Sequence, residues 1–177
     1  MTAQSVTRVV ITGSESTGKS QLAHDLAEHF GCLWVREQSR GYADRVGWSL
    51  TAEDVSPIAS AQIAAEDAGM TDAIRRNDRW LFLDTDLLST VVYARHYYGA
   101  CPSWVEAEAR ARLADLYLLS DIDIPWTSDG IRDRPHAREE LQAAFRATLG
   151  EFNARTCFVR GTGERRLAAA LRCIAFQ

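Results

Sequence analysis

Lysine is almost absent from the chain. Of 20 basic residues only Lys19 is a lysine, and the other 19 are arginine. A basic surplus is absent too. The formal net charge is −4, which argues against a nucleic-acid-binding surface. No apolar run approaches the length of a membrane span, so no membrane partner is expected. Met1 to Arg8 lack the apolar core of a secretory signal. Cysteine occurs as Cys32, Cys101, Cys157 and Cys173, with no C-x-x-C pair and no metal-ligand spacing. These are expected to be reduced, mostly buried thiols of a cytoplasmic protein, with neither disulfide nor structural metal. Internal repeats, low-complexity tracts and linkers are missing as well. What remains is ordinary for a globular chain. Hydrophobic residues make up 46% and charged residues 25% of 177 positions, enough for one domain, residues 1–177, with a sizeable core.

The lone lysine falls in the most informative stretch, Gly13-Ser14-Glu15-Ser16-Thr17-Gly18-Lys19-Ser20. It matches the phosphate-loop pattern G-x-x-x-x-G-K-[ST] at every fixed position. Val9-Val10-Ile11 precede it as a strand, and Leu22, Ala23, Leu26, Ala27 and Phe30 follow on one helical face. Such a loop wraps backbone N–H groups around phosphate at a helix N-terminus. Lys19 is expected at the β- and γ-phosphates of ATP, and the Ser20 hydroxyl on Mg²⁺. In a chain that otherwise uses arginine, a lysine here fits a cradle too tight for a planar guanidinium.

Along the chain, apolar β-rich runs alternate with helical patterns. The alternation predicts an α/β fold, the P-loop NTPase three-layer sandwich, with a mostly parallel five-stranded sheet flanked by helices. Strands are expected at Arg8 to Thr12, Cys32 to Val35, Trp80 to Leu83, Leu116 to Leu119 and Thr156 to Arg160. Gly31 is a stop for the first helix. Glu37 and Arg40 follow the second strand, where a parallel sheet presents residues to its ligand crevice. Residues 41–55 read as irregular. A helix follows from Pro57 to about Asn77, with Ala59, Ile63, Met70 and Ile74 as its core face. Asp84 ends the third strand, placed to bind Mg²⁺ directly or through water, and Asp86 stands two residues on, facing substrate. Residues 121–138 read as a lid-like segment, with Trp126 and Asp129 among polar residues and Arg132, Arg134 and Arg138 close together. Arginines on a closing loop suit phosphoryl transfer, since guanidinium binds phosphate through paired N–H groups.

Taken together, these residues resemble the ribosylnicotinamide kinase domain of bacterial NadR-type proteins, within the P-loop kinase superfamily. The likeness is carried by the loop, by Arg36-Glu37 with Arg40, by Phe82-Leu83-Asp84-Thr85-Asp86 and by Pro125-Trp126-Thr127-Ser128-Asp129-Gly130-Ile131-Arg132. It implies phosphorylation of nicotinamide riboside to nicotinamide mononucleotide, with ATP and Mg²⁺. Glu37 or Asp86 then orients the 5′-hydroxyl, and the residues leave that choice open. Arg132, with Arg134 or Arg138, closes over the transferring group. Trp126 offers an aromatic face to the cationic pyridinium, and Arg40 and Asp129 are expected at the substrate. Larger members carry adenylyltransferase and sometimes DNA-binding domains. This chain has no H-x-G-H motif, so neither dinucleotide synthesis nor repression is expected of it. A kinase for another nucleoside or small molecule, and an ATPase or switch module, are the alternatives.

Overall fold

Five short runs rich in β-branched and aromatic residues become the strands, and the stretches between them coil into helices. The computed structural model describes residues 5–47, 49–125 and 137–176. The strands are β1 (Thr7–Thr12), β2 (Leu33–Val35), β3 (Trp80–Asp84), β4 (Leu116–Ser120) and β5 (Thr156–Val159). Every pairing is parallel, in the order β2-β3-β1-β4-β5. The helices among the described residues are α1 (Lys19–Phe30), α2 (Gln38–Val46), α3 (Val55–Arg76), α4 (Leu87–Tyr98), α5 (Ser103–Ala111), α6 (Ala137–Glu151) and α7 (Glu164–Ala175). The sandwich expected from the sequence is present, and its sheet is parallel throughout.

Helices cover both faces because side chains alternate along each strand. Val10, Leu81, Leu83, Tyr117 and Leu119 face one layer, with Leu88, Val92, Val105 and Phe145. Val9, Ile11, Phe82, Leu116 and Leu118 face the other, against Leu22 and Leu26 of α1 and Ile174 of α7. Register decides where the site lies. Ile11 pairs with Asp84, and Thr12 with Leu119. Gly13 and Thr85 therefore leave the sheet near Ser120, the last residue of β4, at its carboxyl edge, where α/β proteins bind ligands.

Three expectations need correction. Residues 41–55 are not irregular: α2 occupies their first part, and a 3₁₀ turn at Ala52–Asp54 follows. The turn is closed by Thr51 and Asp54, which form a capping box, and the Tyr42 hydroxyl donates to Asp54 at 2.8 Å. On α3, Ala59, Ile63 and Met70 face the core as expected, and Ile74 does not. Val55, Ile58, Ala59, Gln62, Glu66 and Ala73 are buried, whereas Ile74 is 62% exposed. Lastly, Cys157 of β5 and Cys173 of α7 form a disulfide, with Cα atoms 6.0 Å apart. Helix α7 folds back onto β5 and so joins residues 16 apart, a proximity that spacing does not encode. Cys32 and Cys101 are free and half-buried, and burial pushes each thiol up to about 11.

Candidate active site

The phosphate loop links β1 to α1. Gly13 has φ 129°, and a Cβ there would lie 2.8 Å from the Ser120 carbonyl oxygen, so only glycine fits. Gly18 has φ 71° and caps α1 without a side-chain hydrogen bond. The first-turn N–H groups of α1 thus open onto the loop, as an anion cradle requires. Lys19 bends back over the loop, its Nζ donating to the Ser14 carbonyl at 2.7 Å. The Thr17 hydroxyl donates to the same oxygen at 2.8 Å. Ser20 is exposed.

The end of β3 lies against this cradle. Asp84 is 2% exposed and hydrogen-bonded to Ser20. Burial pushes its carboxyl above the ordinary carboxylate range, and Glu37 adds to the rise. The Ser20 hydrogen bond, Lys19 and Arg40 oppose it. Five residues singled out from three separate stretches of sequence thus share one electrostatic environment. Asp84 Oδ1 is buried and meets no hydrogen-bond partner among the described residues. A buried carboxylate oxygen beside a serine hydroxyl is the hard-oxygen donor set that Mg²⁺ prefers.

Glu37 stands at the N-terminal boundary of α2, half-buried, and accepts from the Ser39 hydroxyl. Asp86 behaves differently. It is 6% exposed and caps α4, its Oδ1 accepting from the N–H groups of Leu88 and Ser89 at 3.1 and 3.4 Å. Its Oδ2 accepts from the Tyr117 hydroxyl at 2.6 Å. Arg138, in the first turn of α6, is 8% exposed and reaches the loop, where Nη2 donates to the carbonyls of Ser16 at 3.3 Å and Ile124 at 3.1 Å. Trp126, Asp129, Arg132 and Arg134 lie outside the described residues.

Sequence reasoning missed several residues around the loop. Tyr97 donates to Glu15, Gln142 accepts from the Ser14 N–H, and Arg166 donates to the Thr17 carbonyl. Gln62 donates to Glu66 at 3.0 Å and accepts from the Gln38 N–H at 3.3 Å, tying α3 to the start of α2. None carries a local signal, because each acts on a residue far away in the chain.

Comparison with known proteins agrees with this geometry. Residues 8–166 match the family described as AAA domain. The chain is 31% identical over 173 residues to the trifunctional NAD biosynthesis/regulator protein NadR of Escherichia coli (strain K12). That match covers 96% of the chain and 41% of the relative, so the chain spans less than half the relative's length. Among solved structures, a NadR protein in complex with NR superposes with a TM-score of 0.72 at 23% identity, covering 94% of this chain and 50% of that one. A NadR protein in complex with NAD and AMP-PNP gives a TM-score of 0.76 at 22% identity, covering 97% and 49%. At these identities the structures show a shared fold, that of P-loop kinases, and the motif resemblance to NadR-type proteins is upheld.

Proposed function

The chain belongs to the AAA-domain family of P-loop proteins, and from that membership we propose that it is an ATP-dependent kinase acting on nicotinamide riboside. The product is nicotinamide mononucleotide, formed by transfer of the γ-phosphoryl group to the riboside 5′-hydroxyl. The observation that carries the reading is the meeting of the phosphate loop with Asp84, Glu37 and Arg40 at one sheet edge. An ATPase needs only the loop and Asp84. An acceptor site needs the second strand's acid and arginine as well. The relative named for NAD biosynthesis and the NadR complexes with NR and AMP-PNP support the choice of acceptor and donor.

In this reading the loop N–H groups and Lys19 bind the ATP phosphates. Ser20 and Asp84 hold Mg²⁺, which when bound neutralises charge on the β- and γ-phosphates. Glu37 orients the attacking hydroxyl and takes its proton. Arg40 supports Glu37 from the same turn, Arg132 and Arg134 supply positive charge around the transferring group, and Arg138, engaged with the Ser16 and Ile124 carbonyls, acts on the nucleotide through the loop. Trp126 and Asp129 contact the cationic nicotinamide ring and ribose. The transfer has a loose transition state, so placement and charge outweigh base strength.

The test is ADP formation from Mg²⁺-ATP with nicotinamide riboside, with a panel of ordinary nucleosides and with no acceptor, each product identified by mass spectrometry. Nicotinamide riboside is expected to be the preferred acceptor, gaining one phosphate. Lys19→Ala is expected to lower turnover by on the order of 10²–10³-fold while melting close to the wild type, since it removes charge and no core packing. Equal ADP release with and without acceptors overturns the proposal.

A further inference from the structure

The four residues between the loop glycines are each held by a side chain from elsewhere in the fold. Gln142 Oε1 of α6 accepts from the Ser14 N–H at 3.2 Å. The Tyr97 hydroxyl of α4 donates to Glu15 Oε1 at 2.7 Å. Arg138 Nη2 of α6 donates to the Ser16 carbonyl at 3.3 Å, and Arg166 Nη1 of α7 donates to the Thr17 carbonyl. Three helices remote from the loop in sequence therefore grip four consecutive residues. Gln142 and Arg166 are buried to 4% and 3% exposure. The Gln142 amide also donates from Nε2 to the Ser120 carbonyl at 2.9 Å, so one orientation alone satisfies both ends. Arg166 further donates to the Gly161 carbonyl at 2.6 Å, to the Asp121 carbonyl at 3.2 Å and to Asp123.

These contacts have a direction. All described peptides are trans, and in a trans peptide the C=O of one residue and the N–H of the next point opposite ways. Anchoring the Ser16 and Thr17 carbonyls behind the loop turns the N–H groups of Thr17 and Gly18 toward the cradle. Ser16 sits at φ 50°, a conformation that non-glycine residues hold only where their surroundings enforce it. Enforcement is what Arg138 supplies. A loop ordered beforehand does not lose its freedom when the nucleotide arrives, and that loss otherwise subtracts from affinity.

We propose that Tyr97, Arg138, Gln142 and Arg166 are positioning residues that hold the phosphate loop in its nucleotide-accepting shape before ATP binds. The inference rests on the loop's use of nucleotide, as proposed above, and not on the identity of the acceptor. It is therefore tested without one, by calorimetric titration of Mg²⁺-ATP into the full chain. Gln142→Met and Tyr97→Phe are each expected to weaken binding by roughly tenfold, about 1.4 kcal/mol. In the kinase assay they should raise KM for ATP and leave KM for the acceptor unchanged. Leu149→Ala, a packing change on the same helix, is expected to lower the melting temperature and leave Mg²⁺-ATP affinity intact. If Gln142→Met does not fold, Tyr97→Phe, which deletes one oxygen, still decides. Wild-type affinity in the folded loop variants overturns the proposal. So does a loss in Leu149→Ala as large as theirs. Normal Mg²⁺-ATP binding by a wild type that phosphorylates no acceptor would sink the kinase reading and leave this one standing.

Discussion

Asp84 and Asp86 are two residues apart and do different work. Asp84 ends β3 with a buried oxygen that the described residues leave without a hydrogen bond. Asp86 spends both oxygens on structure, one on the first turn of α4 and the other on Tyr117. A carboxylate so committed is poorly placed to take a proton from substrate, whereas Glu37 opens α2 beside Arg40 and Asp84. The sequence could not separate these candidates, because capping is a property of the backbone that follows. Glu37→Gln is therefore expected to reduce turnover by roughly 10²–10⁴-fold with an unchanged urea midpoint. Asp86→Ala is expected to destabilise by about 1–3 kcal/mol through the lost cap and the stranded tyrosine hydroxyl. Urea unfolding and steady-state kinetics on both variants check this. An Asp86→Ala protein of normal stability and no activity would return the proton-accepting role to Asp86.

Legibility also varies from element to element. The strands, α1 and its stop at Gly31 stand out in the sequence because apolar periodicity and a glycine in the left-handed conformation are local signals. Helix α2 escaped because Ala43 is its sole buried residue and Gly41 interrupts it, so no apolar stripe marks it. On α3 the apolar pattern finds Ala59, Ile63 and Met70 but not Gln62 and Glu66, buried beside them and satisfied by partners that an apolar count ignores. The loop itself was read directly, yet the side chains that hold it were not, because they come from α4, α6 and α7. The disulfide belongs to the same class. It closes a loop of 16 residues between β5 and α7, the helix that carries Arg166 to the phosphate loop. By the chain-entropy account such a closure stabilises by about 3 kcal/mol. Replacing both Cys157 and Cys173 by Ser is expected to lower unfolding free energy by up to that amount. Adding a reductant to the wild type should lower it equally. A wild type indifferent to reductant would mean that these thiols are unpaired in solution.

At the scale of the whole molecule, a buried acidic pair makes stability depend on pH. Glu66 is 4% exposed and lies near Asp86, and burial, then that neighbouring charge, raise it to about 7. Gln62 donates to one of its oxygens, and Arg112 Nε stands 3.8 Å from the other. Arg8 also favours the charged form, while Arg112 is shared with Asp67. Tyr117 donates to Asp86, whose own carboxyl burial also raises. The folded state therefore holds a proton that the unfolded chain releases near 4.5. That contribution to stability is complete below the unfolded value and is lost as pH rises through about 7. Asp54 and Glu151 act with the opposite sign. Hydrogen bonds lower both, so what they contribute is present above the ordinary carboxylate range and lost in acid. Between pH 5 and 8 those two are flat and Glu66 titrates; Asp84 and Asp86, also raised by burial, act with the same sign as Glu66. Wild-type stability is expected to fall across this window, by on the order of 1.4 kcal/mol for each pH unit over which the folded state alone keeps the proton. Glu66→Gln cannot ionise and keeps a hydrogen-bonding amide, so its decline should be smaller and its advantage over the wild type should grow toward pH 8. Urea midpoints at pH 5.5, 6.5, 7.5 and 8 measure both curves, and parallel lines would show that Glu66 does not hold that proton.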